Sequence, residues 1–133
     1  MKQFHVIGVM SGTSLDGIDF AEIKTWIAEG TIDYVGAVED VRPQMSEALV
    51  YVLASYREGT PRSVIEAMSM GRPIVTTDAP GCRETIRDGV EGFLVPVGDS
   101  EALAVAMERF LRDPKLAVKM GDKAHERAVS KYD

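Results

Sequence analysis

The nine residues from Glu58 to Glu66, Glu-Gly-Thr-Pro-Arg-Ser-Val-Ile-Glu, constrain the fold of this chain more than any other stretch, because they join two apolar runs of different periodicity. The preceding run, 49–54, is nearly all apolar, which is typical of a parallel strand covered on both faces. In the following run, apolar residues recur at helical spacing until Gly71, which is expected at the C′ position. The pattern therefore predicts a strand, a loop and a helix in that order.

The start of the predicted helix, 61–70, is suited to hold an anion. Thr60 is expected to act as its N-cap, and Pro61 to occupy the first helical position, where a missing N–H costs nothing. The free amides and the positive end of the helix dipole then point towards Gly59 and Thr60, where bare backbone lets a phosphate approach. Arg62 adds a permanent positive charge beside them.

Length and charge limit what the rest of the chain can be. At 133 residues, the sequence predicts one compact domain over 1–133, too short for two full nucleotide-binding lobes. A net charge of −6 gives no reason to expect nucleic-acid partners or polybasic membrane binding. The single cysteine, Cys82, excludes an internal disulfide, and no metal site is expected. The sequence shows no membrane-spanning run or signal peptide, so a cytoplasmic location is expected.

Strand and helix signals alternate along the chain. Apolar or β-branched runs at 4–10, 31–36, 49–54, 73–77 and 92–96 read as strands. Helical patterns follow at 61–70, after a cap at Asp99 or Ser100, and after Asp113-Pro114. The chain is therefore predicted to be α/β and Rossmann-like, with a mainly parallel sheet of about five strands and helices on both faces. Ligands of such sheets bind beyond the carboxyl ends of the strands, where 55–62 would lie.

The segment 18–27 supports two interpretations. Asp16-Gly17 between apolar runs is a hairpin signal, with Ile18 and Phe20 alternating on one face. Yet Phe20, Ile23 and Ile27 are also helically spaced. Strand and helix both remain open for this segment.

From about residue 26 to residue 133 the chain resembles the C-terminal, donor-binding domain of retaining GT-B glycosyltransferases of family 4. The matching segments are Tyr34-Val-Gly-Ala-Val-Glu-Asp-Val-Arg-Pro43, Ser55-Tyr-Arg-Glu-Gly-Thr-Pro-Arg62, Glu66-Ala-Met-Ser-Met-Gly-Arg-Pro73, Thr77-Asp-Ala-Pro-Gly81 and Gly92-Phe-Leu-Val-Pro96. Glu58 and Glu66 have seven residues between them, which is the E-x7-E signature of that family.

This resemblance implies specific roles for the central stretch. Glu58 would meet the hydroxyls of the donor sugar, and Glu66 the ribose hydroxyls. Gly59, Thr60 and Pro61 would form the loop under the diphosphate, with UDP or a UDP-sugar as the ligand and no required cofactor. Carboxylates accept hydrogen bonds from vicinal diols, and helix-start amides hold phosphate, so the chemistry agrees. The alternatives are that Glu58 is a helix-start acid favoured by the dipole, and that Arg62 and Glu66 are surface residues.

The first 25 or so residues resemble a different family. Thirteen contiguous residues, Ile7-Gly-Val-Met-Ser-Gly-Thr-Ser-Leu-Asp-Gly-Ile-Asp19, are similar to the N-terminal segment of anhydro-N-acetylmuramic acid kinase. In that family the segment is a β-hairpin, and the resemblance implies that Ser11, Gly12, Thr13 and Ser14 form a loop near ATP phosphates. The two resemblances together suggest a chimera with its junction at about 24–30, whose N-terminal part supplies a strand or hairpin.

The functional expectation follows from both resemblances. The chain is expected to be the donor-binding half of a family 4 glycosyltransferase, truncated or chimeric, and inactive in sugar transfer by itself. The alternatives are an engineered or recombinant structural chimera without a native ligand and, third, an ATP-phosphate-binding fragment of a sugar kinase. A homo-oligomer through an exposed sheet edge or a swapped N-terminal segment is a further expectation.

Overall fold

The structure is a computed structural model that describes residues 6–8, 28–30, 33, 36 and 38–132. Its strands are β1 (Val6–Gly8), β2 (Val50–Leu53), β3 (Ile74–Thr77) and β4 (Gly92–Val95). Its helices are α1 (Arg42–Glu47), α2 (Arg62–Ser69), α3 (Ser100–Arg112) and α4 (Pro114–Tyr132). From β2 onwards the order is one strand, one helix, two strands and two helices, because turns and no helix join β3 to β4.

The four strands form one parallel sheet in the order β1-β2-β3-β4. Val6 pairs with Val50, Tyr51 with Ile74, and Ile74 in turn with Gly92. The described sheet thus has four strands where the sequence predicts about five.

The strand predicted at 31–36 is not among the four described strands. Its two described residues, Asp33 and Gly36, belong to no strand, and the other four lie outside the described residues. Gly36 has φ of +78°, a left-handed conformation that interrupts extended backbone. The strand prediction is therefore wrong at these two positions.

Helices cover both faces of the sheet, as predicted. On one face, the hydrophobic core combines residues of β2 and β3 with α1 and α2: Met45, Tyr51, Leu53, Val64, Ala67, Met68 and Ile74. On the other face, the core combines strand residues with α3: Val50, Val75, Phe93, Val95, Ala106 and Phe110. Helix α4 contributes to both cores, Ala117 and Met120 to the second and Ala124 and Ala128 to the first. Neighbouring residues of β2 thus point to opposite cores, which explains why that strand is apolar throughout.

Helix α2 begins one residue later than predicted. Pro61 occupies the N-cap position with φ of −73° and ψ of 103°, so its backbone is extended, and Arg62 is the first helical residue. Thr60 is therefore not the N-cap. At the other end, Gly71 has φ of +73° and donates to Met68 O, while Arg72 N donates to Ala67 O. This pair of bonds is a Schellman motif, and it confirms Gly71 at C′.

Several sequence predictions lie outside the described residues. These are the kinase-like loop Ser11 to Ser14 and the segment 18–27, so the choice between hairpin and helix stays open. Of the predicted strand 4–10, the structure describes and confirms Val6–Gly8. Within the described part of the chain, no helix is long and apolar enough to span a membrane.

Candidate functional site

The loop between β2 and α2 lies at the carboxyl edge of the sheet, where parallel α/β folds bind ligands. Its first turn is fixed by Ser55, which is buried. The Ser55 hydroxyl donates to Glu58 Oε1 at 2.6 Å, and the Thr77 hydroxyl donates to the Ser55 carbonyl. The end of β3 therefore anchors the loop, and the loop in turn orients the Glu58 carboxylate.

The turn after β3 supports the same loop from its other side. Glu58 N donates to Pro80 O at 3.0 Å. Gly81 has φ of +87°, and a Cβ at this position would lie 2.0 Å from Glu58 O and 2.3 Å from Gly59 O. A residue without a side chain is thus required where the two loops meet. Sequence reasoning missed this role of Gly81, although a glycine just after a strand at this edge was visible.

The start of α2 is open to solvent and has no cap of its own. The N-cap residue, Pro61, makes no side-chain capping bond, and the first turn of the helix contains no acidic residue. The amides of Gly59, Thr60, Arg62 and Ser63 have no acceptor within the described part of the chain. Gly59, Thr60 and Arg62 are exposed, and no atom of a described residue lies within 4 Å of the point where a Gly59 Cβ would be. These amides can therefore bind an external acceptor.

Tyr51 of β2 lies beneath this surface with its side chain fully buried. Its hydroxyl donates to Ser63 Oγ at 2.6 Å. Burial is the main cause that raises the pKa of Tyr51 to about 12; the hydrogen bond with Ser63 lowers this pKa, and the negative charges of Glu66 and Glu58 raise it. Both glutamates of the E-x7-E pair thus lie close enough to act on one buried hydroxyl. Sequence reasoning missed Tyr51, although a tyrosine in an otherwise aliphatic strand indicates a polar contact.

The structure brings the six predicted donor-site residues together on one surface of the loop and the first two turns of α2. Glu58 is half-buried, Pro61 is buried, and the other four are exposed: Gly59, Thr60, Arg62 and Glu66. Beyond the ends of β3 and β4, the same edge has a groove of about 530 Å³ that is lined by Asp78, Asp88, Leu94, Val95, Pro96 and Val97. In the described ranges, no cluster of three or more His, Cys, Asp or Glu side chains is placed to hold a metal ion.

The sequence is similar to known proteins over most of its length. Residues 2–113 match the family described as glycosyl transferases group 1. A Campylobacter jejuni enzyme, N,N'-diacetylbacillosaminyl-diphospho-undecaprenol alpha-1,3-N-acetylgalactosaminyltransferase, is 32% identical over 108 residues, which cover 81% of this chain and 28% of that protein.

Solved structures show the same fold. Sucrose-phosphate synthase from Thermosynechococcus elongatus superposes with a TM-score of 0.78 at 29% identity, over 96% of this chain and 34% of that one. Anabaena HepE, solved in complex with UDP, superposes with a TM-score of 0.80 at 24% identity, over 98% of this chain and 37% of that one. Both superpositions include nearly the whole of this chain, so its Rossmann-like arrangement is that of a glycosyltransferase domain.

These matches also bear on the extent of the family resemblance. The chain spans 27% to 30% of the length of the first curated relatives that it matches. The family match begins at residue 2 and so includes the stretch 7–19, where the sequence also resembles a sugar kinase. The kinase resemblance and the cytoplasmic location stay predictions. The family match covers most of the sequence, and the chain belongs to the group 1 glycosyl transferases.

Proposed function

We propose that this chain is the donor-binding part of a retaining GT-B glycosyltransferase and binds UDP or a UDP-sugar at the surface formed by Glu58 to Glu66. The observation that carries this proposal is the uncapped start of α2, whose exposed amides lie between the two glutamates of the family signature. A diphosphate supplies acceptors for these amides, and its charge is stabilised by the helix dipole and by Arg62.

The two carboxylates hold the remaining parts of the ligand. Ser55 occupies one oxygen of Glu58, which fixes the carboxylate and leaves its other oxygen for a hydroxyl of the donor sugar. Glu66 is exposed one helical turn after Ser63, and its carboxylate accepts from the ribose hydroxyls. The complex of HepE with UDP, and that of HepE with UDP-glucose, support the choice of nucleotide.

The isolated polypeptide of 133 residues is proposed to bind the donor without transferring sugar. Transfer requires an acceptor held in line with the anomeric carbon, and such orientation supplies about 7 to 11 kcal/mol of barrier reduction. In the described residues, the surface around Glu58 holds the groups for a donor but no second lobe that would hold an acceptor. A chimeric origin, with a kinase-derived segment before about residue 26, is a further part of this proposal.

Titration of the ¹⁵N-labelled chain with UDP tests the donor site directly. The amide signals of Gly59 to Glu66 are expected to shift with one saturable affinity. The variant Glu66→Gln is expected to weaken binding about tenfold through loss of a charge-assisted hydrogen bond. Glu101→Gln, an exposed acid in the first turn of α3, is the matched control and should leave binding unchanged.

Three outcomes, one from this titration, one from a titration with ATP and one from a sugar-transfer assay, would contradict the proposal. Unmoved signals at Gly59 to Glu66 under excess UDP would favour a structural chimera without a native ligand. Shifts confined to Ser11 to Ser14 on addition of ATP would favour the kinase fragment instead. Sugar transfer by the isolated chain would overturn the claim that it binds without turnover.

A further inference from the structure

The hydroxyl of Ser63 has a proton that the described part of the protein does not use. Tyr51 O–H donates to Ser63 Oγ at 2.6 Å, and the buried Tyr51 hydroxyl has no other acceptor within the described residues. A serine hydroxyl can accept while donating its own proton elsewhere. Ser63 Oγ therefore acts as the acceptor in this pair, and its own O–H is free to donate.

Three serines that lie further along their helices bond locally, whereas Ser100, which like Ser63 is in the first turn of its helix, makes no such bond to a described residue. Ser46 donates to Pro43 O at 2.8 Å, Ser69 to Ile65 O at 2.9 Å, and Ser130 to Arg127 O at 3.2 Å. Each of these bonds ends on a carbonyl of the preceding helical turn, which is the common local partner of a helical serine. Ser63 makes no such bond to a described residue and is held by Tyr51 from the sheet side instead.

The position of Ser63 places its hydroxyl at the exposed start of α2. Ser63 is the second residue of α2, it is partly exposed, and its own amide is one of those without an acceptor in the described chain. The nearby carboxylates of Glu58 and Glu66 accept no hydrogen bond from Ser63, although both act on the Tyr51 hydroxyl that touches it. The free O–H therefore lies at the surface where the helix start faces an external ligand.

We infer that Ser63 is a phosphate-binding residue whose hydroxyl, held in place by Tyr51, donates to the diphosphate of the bound nucleotide. This inference rests on the proposed function and adds a side-chain donor to a site otherwise built from backbone amides and Arg62. Tyr51 is a positioning residue in this arrangement, because it touches Ser63 and not the ligand. A residue with no hydroxyl at position 63 would leave the Tyr51 O–H without its acceptor.

Calorimetric titration with UDP and with uridine separates this role from general support of the fold. Ser63→Ala is expected to weaken UDP binding about tenfold, which is the usual effect of losing one hydrogen bond to a charged group. Uridine has no phosphate, and its affinity should not change. Ser63→Thr keeps a hydroxyl and should keep most of the UDP affinity. Ser69→Ala, whose hydroxyl bonds within its own helix, is the matched control and should bind UDP as the native chain does.

The double variant Tyr51→Phe/Ser63→Ala keeps the inference falsifiable if Ser63→Ala loses stability. Removing both partners leaves no buried hydroxyl unsatisfied, so its thermal unfolding is expected to return close to that of the native chain. UDP affinity should nevertheless stay about tenfold low, and no lower than in Ser63→Ala alone. Affinity that returns together with stability would show that Ser63 is merely structural and would overturn the inference.

The remaining outcomes distinguish this inference from the function on which it rests. If the native chain binds UDP with shifts at Gly59 to Glu66 but Ser63→Ala binds equally well, only the role of Ser63 is wrong. If Ser63→Ala weakens uridine as much as UDP, the hydroxyl does not act on the phosphates. If the native chain does not bind UDP at all, the proposed function and this inference both fail.

Discussion

Two helices begin at the carboxyl edge of the sheet, and their first turns are built in opposite ways. Helix α3 follows β4 and is capped by Asp99, whose side chain accepts from Ala102 N at 2.9 Å, with Glu101 in its first turn. Helix α2 follows β2 and begins at Arg62, with no side-chain capping bond from its N-cap Pro61 and no acidic residue in its first turn. Helix α3 supplies a side-chain acceptor for one amide of its first turn and an acid for its dipole, and α2 supplies neither.

The difference shows that the start of α2 is locally less stable than the start of α3. A side-chain cap contributes about 1 kcal/mol to helix stability, so α2 lacks a contribution that α3 has. Loop contacts that are independent of capping hold the uncapped start in place: Ser55 with Glu58, Glu58 with Pro80, and Tyr51 with Ser63. An unsatisfied helix start that is rigidly supported is the arrangement expected where a ligand supplies the missing acceptor.

The variant Gly81→Ala is expected to disturb the start of α2 most strongly. Left-handed backbone costs an alanine about 1 to 2 kcal/mol, and overpacking against the Glu58 and Gly59 carbonyls adds a similar amount. We therefore expect a loss of about 3 kcal/mol in the free energy of unfolding, with UDP binding abolished.

Gly98, beside the start of α3, is the matched control for this substitution. It also has positive φ, at +75°, but a Cβ there would meet only the Tyr56 hydroxyl at 3.9 Å. Gly98→Ala should therefore cost only the backbone term of about 1 to 2 kcal/mol and leave UDP affinity intact. Equal losses of stability in urea denaturation of the two variants would show that the close approach of Gly81 to the Glu58 carbonyl does not contribute to stability.

A pH titration of stability tests the buried hydroxyl beneath α2. The pKa of Tyr51 is raised to about 12 in the folded chain, whereas an unfolded tyrosine titrates near about 10. The stability contributed by the neutral hydroxyl is fully present below about pH 10 and is lost as pH rises towards about 12, because the unfolded state ionises first. The total change is about 3 kcal/mol.

Tyr51→Phe supplies the comparison for this measurement, because it lacks the hydroxyl and shares every other titrating group with the native chain. Urea unfolding of both proteins from about pH 9 to about pH 12 should show the native chain losing about 2 kcal/mol, most of the total change, relative to Tyr51→Phe. A difference that stays constant over this range would mean that the Tyr51 hydroxyl is not held in a desolvated position.

The sequence predicts the elements around α2 and α3 well because local signals and packing agree there. Apolar runs mark β2, β3 and β4, Asp99 is one of the two caps named for α3, and Gly71 ends α2 as expected. The motif Glu58 to Glu66 also lies at the carboxyl edge of the sheet, as predicted. Such features depend on spacing of three or four residues, which one sequence displays directly.

The parts that escape prediction depend on contacts between distant segments. Gly81 matters because its backbone passes the Glu58 carbonyl, and Tyr51 matters because its hydroxyl reaches Ser63 twelve residues later. The start of α2 is displaced by one residue because Pro61 adopts an extended conformation, although proline favours the first helical position. The spacing of residues within a short segment does not predict such contacts between distant segments.

Arg62→Glu gives α2 the acidic first turn that α3 already has. The new carboxylate interacts favourably with the helix dipole, so stability should rise by about 0.3 to 1 kcal/mol. Affinity for UDP should fall by about 2 kcal/mol, roughly 30-fold, because a cation beside the phosphates becomes an anion. The matched change at α3, Glu101→Arg, should leave the affinity as it is. If UDP binds Arg62→Glu as tightly as the native chain, the diphosphate does not lie at this helix start.

Asp99→Ala makes α3 resemble α2 by removing its cap, and it has the smallest expected effect. The amide of Ala102 loses its acceptor, and the free energy of unfolding should fall by about 1 kcal/mol. Asp99→Asn keeps a capping oxygen and should recover most of that loss. UDP affinity should not change in either variant. Even without its cap, α3 lacks the flanking glutamates and the supported loop that α2 has. Tighter UDP binding by Asp99→Ala would mean that any open helix start at this edge suffices, and that the glutamate pair is not what selects α2.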